Sequence, residues 1–97
     1  MVRFIVLFDF TQQGIAKVSD TLSRSEAFNK MAQKAGVSVK SQYWTLGGHD
    51  GAVVLEGPDE PAVMALLLKL GADGNVRTHS LRAFDRAEME AILAKPR

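Results

Sequence analysis

The segment GGHDG at residues 47–51 contains the side chains of this sequence that best suit proton-transfer chemistry. His49 is a candidate general base, because histidine is the side chain whose unperturbed pKa lies nearest to neutrality, at about 6.5. Asp50 could orient the imidazole if both residues lie in a loop, since neighbours on a strand face opposite ways. The alternative is turn chemistry, in which Asp50 bonds its own backbone and Gly51 adopts a positive φ. His49 and Asp50 are therefore candidate catalytic residues, with a hairpin loop as the competing interpretation.

The residues that flank this loop, or open the last predicted strand, include side chains suited to ligand binding. The candidates are Tyr43, Trp44, Thr45, Asn75 and Arg77. Arg77 could hold a substrate carboxylate through two parallel hydrogen bonds. Its commoner role in a strand would be to pair with a carboxylate of the protein, such as Asp9 or Asp50. These residues predict a site at the sheet edge where the end of strand one, the 47–51 loop and the start of strand four converge.

The aromatic pair Tyr43 and Trp44 lies in a segment that alternates as a strand does. Neighbours on a strand face opposite sides, so one ring packs against the helices and the other faces a cleft or an interface. Alternation predicts that Tyr43 shares a face with Val37 and Val39. Packing is the expected role of both rings, and ligand stacking is the alternative.

The sequence predicts no metal ion and no cofactor. The alternative is that His79 joins His49 in a metal site, but the two histidines lie on separate elements and lack the i, i+4 spacing of helical zinc motifs. The phosphate-loop, HExxH and GxSxG motifs are missing, so nucleotide-binding, zinc-protease and hydrolase functions lack their usual support. The chain contains no cysteine, which excludes a disulfide framework and favours the reducing cytoplasm as its location.

Composition and charge favour one small globular domain, spanning residues 1–97, without nucleic-acid or membrane partners. The chain has 46% hydrophobic and 24% charged residues, which is ordinary for a folded domain. Its net charge of +1 provides no basic field to attract a nucleic acid or an anionic membrane. The apolar run at 4–10 is far shorter than the ~20 residues of a membrane-spanning helix and includes Asp9. We expect that run to be a strand.

Hydrophobic periodicity predicts the element order β-α-β-β-α-β, followed by a short C-terminal helix. Strands are expected at residues 2–10, 37–46, 52–56 and 75–84, and helices at 14–35, at 59–71 and after 85. Ser23 and Glu26 form a capping-box pattern, which predicts that the main part of the first helix begins there. Gly36 and Gly71 are expected to end the two long helices, and residues 85–88 repeat the capping-box pattern.

This order predicts an α+β, ferredoxin-like fold, with an antiparallel sheet of spatial order 4-1-3-2 and two helices on one face. The first and third strands are apolar on both faces, which indicates that both faces are covered. Two helices cover one face, so we expect a homodimer or a higher homo-oligomer whose sheets pack face to face. The alternative is that the C-terminal helix folds back over the second face within one chain.

Five segments along the chain carry a family resemblance: FTQQGI, RSEAF, YWTLG, DGAVVLEGPDE and LGADGNVRTHSLRAF. Together they cover nearly the whole chain and resemble the GYD family of small domains. The Gly-Tyr-Asp signature of that family corresponds to Gly48, His49 and Asp50, so a histidine stands in the tyrosine position. The resemblance implies a dimeric α+β barrel in which two subunits enclose a cleft. That wider group includes cofactor-free monooxygenases, lactone isomerases and haem proteins, so the resemblance implies a shape more than a reaction.

Two functions remain open at the level of the sequence. The first is a homo-oligomeric binding protein whose cleft near the 47–51 loop accepts a small, partly apolar metabolite, with Arg77 and Tyr43 as polar anchors. The second is a cofactor-independent enzyme of the oxygenase or isomerase type, in which His49 transfers a proton and Tyr43 or Trp44 positions the substrate. RNA binding is not expected, because the third strand lacks the aromatic residues on which RNA-recognition motifs stack bases.

Overall fold

The computed structural model describes residues 1–96, in which four strands and four α-helices follow the predicted order. The elements are β1 Val2–Phe10, α1 Gln12–Ala16, α2 Thr21–Lys34, β2 Ser38–Trp44, β3 Gly51–Gly57, α3 Glu60–Ala72, β4 Val76–Ala83 and α4 Arg86–Leu93. A short 3-10 helix, Val18–Asp20, connects α1 to α2. The predicted single domain ends at Arg97, which lies outside the described residues, so its extent stays a prediction. No helix within residues 1–96 combines the length and the apolar composition that crossing a bilayer demands.

The four strands form one antiparallel sheet with the order β2-β3-β1-β4, which confirms the predicted arrangement. The central strands β1 and β3 are paired so that Ile5 lies opposite Val54, and on its other side Ile5 lies opposite Leu81 of β4. The register therefore forms rows of side chains that cross the sheet perpendicular to its strands.

The core lies between one face of the sheet and the helices α2 and α3. Its buried members are Val6, Phe28, Ala32, Val37, Val53, Leu55, Val63, Leu66 and Leu67. Val6 and Leu55 have no exposed surface, and both come from the central strands. Burying side chains of this size is the main favourable term in folding, at roughly 1.5–3 kcal/mol each. This packing confirms the ferredoxin-like α+β fold predicted from the sequence.

The other side of the sheet, called the open face below, carries the alternate residues of every strand. They are Arg3, Ile5, Leu7 and Asp9 of β1, Ala52, Val54 and Glu56 of β3, Arg77, His79, Leu81 and Ala83 of β4, and Ser41 and Tyr43 of β2. Ile5 and Leu81 remain 37% and 53% exposed, although they are large apolar residues. The C-terminal helix α4 contains no buried residue. The alternative in which α4 folds back and covers this face is therefore wrong for the described chain.

The predicted face of Tyr43 is wrong because β2 contains an irregularity. Its register against β3 shifts between Val39 and Ser41, so Lys40 is an extra residue in the ladder. Before the shift Val39 lies opposite Leu55 on the helix side. After it Tyr43 lies opposite Ala52, and so faces the open side. One inserted residue thus reverses the alternation on which the prediction depended.

Two predicted helix boundaries are also wrong. Helix α2 begins at Thr21, and the Ser23 hydroxyl donates to the carbonyl of Asp20 at 2.9 Å, so no capping box starts the helix at Ser23. Helix α3 runs through Gly71 and ends at Ala72. The left-handed residue that follows it is Gly74, with φ +82°. The sequence pattern marked the stop too early, because Gly71 is tolerated within the helix.

Two other helix boundaries are confirmed. Gly36 follows α2 with φ +75°, a conformation that glycine adopts without steric cost. Asp85 accepts a hydrogen bond from the Glu88 amide at 2.8 Å, while the Glu88 side chain accepts one from the Asp85 amide at 2.9 Å. This reciprocal capping box is the one predicted at the start of α4.

Gly51 does not have the positive φ that a turn role for this residue predicts, since it is not among the described glycines with positive φ. It opens β3, and a Cβ atom there would lie 2.1 Å from Cζ of Phe8 and 2.6 Å from the carbonyl oxygen of Tyr43. The missing side chain lets the buried ring of Phe8 lie directly against the strand. Close packing, and not an unusual backbone angle, therefore requires glycine at this position.

We expect Gly51→Ala to destabilise the protein by about 1–3 kcal/mol, because the new methyl group must displace an aromatic ring and a backbone oxygen. Urea unfolding followed by circular dichroism measures this change. Gly48→Ala is the matched control, since a Cβ atom at Gly48 meets nothing within 4 Å. Equal stability of the two variants would contradict the packing role of Gly51.

Candidate functional site

A cluster of Asp9, His49 and His79 lies on the open face, where β1 ends. Asp9 is the penultimate residue of β1, His79 belongs to the neighbouring strand β4, and His49 comes from the loop between β2 and β3. Nδ1 of His49 lies 3.2 Å from both carboxylate oxygens of Asp9. Nε2 of His79 lies 3.3 Å from Oδ2 of the same carboxylate. One carboxylate therefore contacts both histidines of the sequence.

The loop that carries His49 is fixed by hydrogen bonds at both of its ends. The Asp50 amide donates to the carbonyl of Phe8 at 3.0 Å, and the Asp50 carboxylate accepts from the amide of Phe10 at 2.8 Å. The Thr45 amide donates to the carbonyl of Asp50 at 2.9 Å, and its hydroxyl donates to the carbonyl of His49 at 2.6 Å. These contacts tie the loop to the end of β1 and hold the imidazole of His49 beside Asp9.

The carboxylate partner of His49 is thus Asp9, and not Asp50 as the sequence suggested. Asp50 instead satisfies the backbone amide of Phe10. Its role is to position the loop, which agrees with the turn-chemistry interpretation more closely than with a catalytic one. The sheet register is what places Asp9 beside the loop, and it cannot be read from residues that are adjacent in the sequence.

The environment of Asp9 favours its charged form. Partial removal from water raises the pKa of its carboxyl group. The hydrogen bond and the charge of His49 act in the opposite direction, together with the Asp50 amide and the charge of His79. Their sum lowers the pKa of Asp9 below its ordinary value of 3.8. The cluster therefore holds a carboxylate anion between two imidazole rings at neutral pH.

The remaining predicted site residues are divided between the two faces of the sheet. Tyr43 and Arg77 lie on the open face, and Arg77 is paired with Asp9 in the register of β1 and β4. Within residues 1–96 Arg77 makes no ion pair at 4.0 Å or less. Trp44 lies on the helix side, where its indole N–H donates to the hydroxyl of Thr21 at 3.0 Å. The aromatic pair is therefore split between the two sides, as alternation predicted.

Asn75 also lies away from the open-face cluster. Its carbonyl accepts from the amide of Thr11 at 3.1 Å, and its side-chain oxygen accepts from Nε2 of Gln13 at 3.1 Å. Asn75 lines a cavity of about 130 Å³ between the sheet and α2, together with the apolar side chains of Phe8, Phe28 and Met31. The predicted ligand residues consequently do not line one cleft.

The contact of Asp9 with two histidines is the feature that sequence reasoning did not predict. The signal available was the alternation of β1, which puts Asp9 on the same face as Ile5 and Leu7. The pairing of β1 with β4 then brings His79 opposite Leu7, one strand-face repeat from Asp9. Chemically, the cluster offers a proton acceptor oriented by a carboxylate, and a set of one oxygen and two nitrogen donors.

The fold and this loop define a small ferredoxin-like α+β domain with its polar cluster beside the β2–β3 loop. The family model described as GYD domain matches residues 4–93, and the chain belongs to this family. A Thermus thermophilus protein named glutamine synthetase and cystathionine beta-lyase binding protein is 33% identical over 94 residues. That match covers 96% of this chain and 99% of the relative.

A solved structure is also similar to this chain over its full length. The crystal structure of TTHA0845, likewise from Thermus thermophilus, aligns with a TM-score of 0.55 and 20% sequence identity, covering 100% of both chains. At this identity the likeness concerns the fold alone. It supports the overall fold described above.

We expect His49→Ala to raise the pKa of Asp9, because the variant loses the two largest contributions that lower it. His79→Ala should raise it less, since only the charge of that ring contributes. A ¹³C-detected NMR titration of the Asp9 carboxyl carbon measures both shifts, and the wild-type value should lie below 3.8.

The same shift has a consequence for stability. Because the folded-state pKa of Asp9 lies below its unfolded value, ionised Asp9 stabilises the fold above about pH 4, and this contribution is lost as the pH falls through the folded-state pKa. A wild-type pKa at or above 3.8, unchanged in His49→Ala, would contradict the proposed contact.

Proposed function

We propose that the protein is a non-catalytic binding protein that acts as a homodimer, joined through the open face of its sheet, and that associates with other proteins. The observation that carries the proposal is the apolar strip in the middle of the open face. We define this apolar strip as Ile5, Leu7, Tyr43, Ala52, Val54 and Leu81. Covering it with a second copy would remove large apolar side chains from water, which is the dominant favourable term in most protein association.

The distribution of charge on the open face supports self-association. The apolar strip lies between two polar ends, one formed by Arg3 and Glu56, whose side chains bond at 2.9 Å, and the other by Asp9 with its histidines. An apolar centre within a polar rim is the usual anatomy of a protein interface. A second copy of the chain matches this pattern, because a two-fold axis places the apolar centre of one copy against the apolar centre of the other.

The size of the open face determines how much of a dimer contact the sheet itself can provide. Strands about 4.8 Å apart and about seven residues long, at ~3.3 Å per residue, give a four-stranded face a projected area of roughly 450 Å². The accessible area of the protruding side chains is larger than this projection. Stable dimers bury about 800 Å² per partner, so the sheet provides part of that area and a stable dimer must also bury surface outside the sheet. Met89 and Ile92 of α4 are 46% and 37% exposed and can extend the contact.

The identity of the further partner comes from the Thermus relative. That relative is named for its binding to glutamine synthetase and to cystathionine β-lyase, and it is similar to this chain over almost its entire length. We propose that this chain likewise binds enzymes of this kind, in the cytoplasmic location that its composition favours. No reaction of its own is required for this role.

The other functions considered from the sequence stay predictions. A metabolite anchored jointly by Tyr43, Trp44, Asn75 and Arg77 is not favoured, because these residues lie on two sides of the sheet. The enzyme alternative would use His49 as a proton acceptor, and Asp9 is the carboxylate that would orient its ring. The exposed apolar strip favours the binding protein over both.

We expect Leu81→Glu to convert the dimer into a monomer, because it places a charge within the apolar strip of both copies. Analytical ultracentrifugation at equal micromolar concentration should give a dimeric mass for the wild type and a mass near 10.6 kDa for the variant. Leu68→Glu is the matched control, since Leu68 on α3 is 61% exposed, against 53% for Leu81. A variant that stays dimeric, or a wild type that is monomeric, would contradict the open-face interface.

The association with enzymes has a separate test. Biolayer interferometry measures binding of the wild-type chain to each enzyme. The immobilised enzymes are glutamine synthetase and cystathionine β-lyase from the source organism. We expect saturable binding to at least one enzyme with Kd at or below about 10 μM, and no binding to immobilised serum albumin. If neither enzyme binds the folded chain at about ten times that concentration, the protein-binding function is wrong, whatever the oligomeric state.

A further inference from the structure

We propose that Asp9, His49 and His79 bind one divalent transition-metal ion of the zinc type. One carboxylate oxygen and two imidazole nitrogens from these residues lie within 4.8 Å of one another. This mixed nitrogen and oxygen donor set suits Zn²⁺, Co²⁺ and related ions, whereas Mg²⁺ and Ca²⁺ prefer oxygen donors alone. The proposal concerns a site that neither the enzyme-binding role nor the dimer requires.

Two of the distances within the cluster, those from Asp9 to each histidine, match the spacing of ligands around a metal ion. With metal–ligand bonds of about 2.0–2.1 Å, two ligands of a tetrahedral ion are about 3.3 Å apart. Oδ2 of Asp9 lies 3.2 Å from Nδ1 of His49 and 3.3 Å from Nε2 of His79. A hydrogen bond between an imidazolium and a carboxylate is typically shorter, at about 2.7–2.9 Å. The observed spacing is therefore closer to that of co-ligands than to that of a tight ion pair.

Backbone structure brings the three ligands together. Asp9 and His79 are on adjacent strands whose ladder pairs Asp9 with Arg77 and Leu7 with His79. His49 is held in its loop because the hydroxyl of Thr45 donates to its carbonyl at 2.6 Å. Ligands that are already placed by strands and a braced loop lose little conformational freedom when they bind an ion.

The charges around the cluster permit a cation. Asp50 adds a second carboxylate at the same edge of the sheet, and it already accepts a hydrogen bond from the amide of Phe10. Arg77, which is paired with Asp9 across the strands, adds a positive charge, and this charge disfavours the binding of a cation. Its side chain is exposed and long enough to turn toward water. The net local charge, without the histidines, is therefore −1 from two carboxylates and one guanidinium.

Three protein ligands leave at least one coordination position of a tetrahedral ion unfilled. The side chains of His49 and His79 are 40% and 59% exposed, so water can reach the cluster and that position. A water molecule or a donor atom from a bound partner can occupy it. The site would therefore belong to the open class of metal centres and not to the closed, four-ligand structural class.

The test is isothermal titration of the untagged, chelator-treated full chain with Zn²⁺ and, separately, with Co²⁺. We expect one ion per chain with a micromolar or lower Kd, visible Co²⁺ absorption, and no binding of Mg²⁺. The chain has only two histidines, so a histidine-bound ion can bind at no other place.

His49→Ala and His79→Ala should each weaken binding by more than about 100-fold, since loss of a mere outer-shell partner already costs 10–100-fold. Asp73→Asn, at an exposed aspartate outside the cluster, is the control and should bind normally.

A second measurement uses only the wild-type chain, so its result does not depend on whether the variants fold. Co²⁺ should shift and broaden the backbone amide signals of residues near 9, 49 and 79 most strongly in the wild-type NMR spectrum, with effects that decline with distance from the cluster. The proposal is overturned if millimolar Zn²⁺ and Co²⁺ give neither heat nor shifts, or if the shifts map to another surface. Equal affinity in the wild type and in both histidine variants would also overturn it.

Discussion

The apolar character of both faces of β1 and β3 is the constraint on which the rest of the structure depends. Side chains on one face, such as Val6 and Leu55, are completely buried by α2 and α3. Ile5 and its cross-strand neighbours on the other face have no comparable cover within the described residues, and α4 buries none of its own side chains. One copy of the chain therefore covers only one of the two apolar faces of its central strands. The uncovered apolar face favours association with a partner.

The same alternation along β1 links the apolar strip to the polar cluster. Moving two residues at a time along the open face leads from Ile5 through Leu7 to Asp9, which is the position where the strand meets the β2–β3 loop. A second copy packed on the strip would lie beside His49 and His79, so that self-association and the chemistry of the cluster can influence each other. The residues of the proposed metal site lie on this same side.

The fold could be predicted from the sequence because it depends on local periodicity and on turn residues. The element order, the sheet order, the left-handed Gly36 and the capping box of α4 all follow from such patterns. The face of Tyr43 could not be predicted, since the irregularity at Lys40 becomes visible only when β2 is aligned with β3. The partner of His49 was missed for a similar reason: Asp9 is 40 residues away in the chain, and only strand pairing brings it near. Local rules thus predicted the elements and their order, while tertiary register determined which side chains touch at the sheet edge.

The most direct test of the central claim is an isotope-filtered NOE experiment on an equal mixture of ¹³C-labelled and unlabelled chains. We expect intermolecular contacts at the methyl groups of Ile5, Val54 and Leu81, and none at Leu68 on α3. Intermolecular contacts confined to the helix side, or no contacts from a particle of 10.6 kDa, would show that the open face does not join two copies.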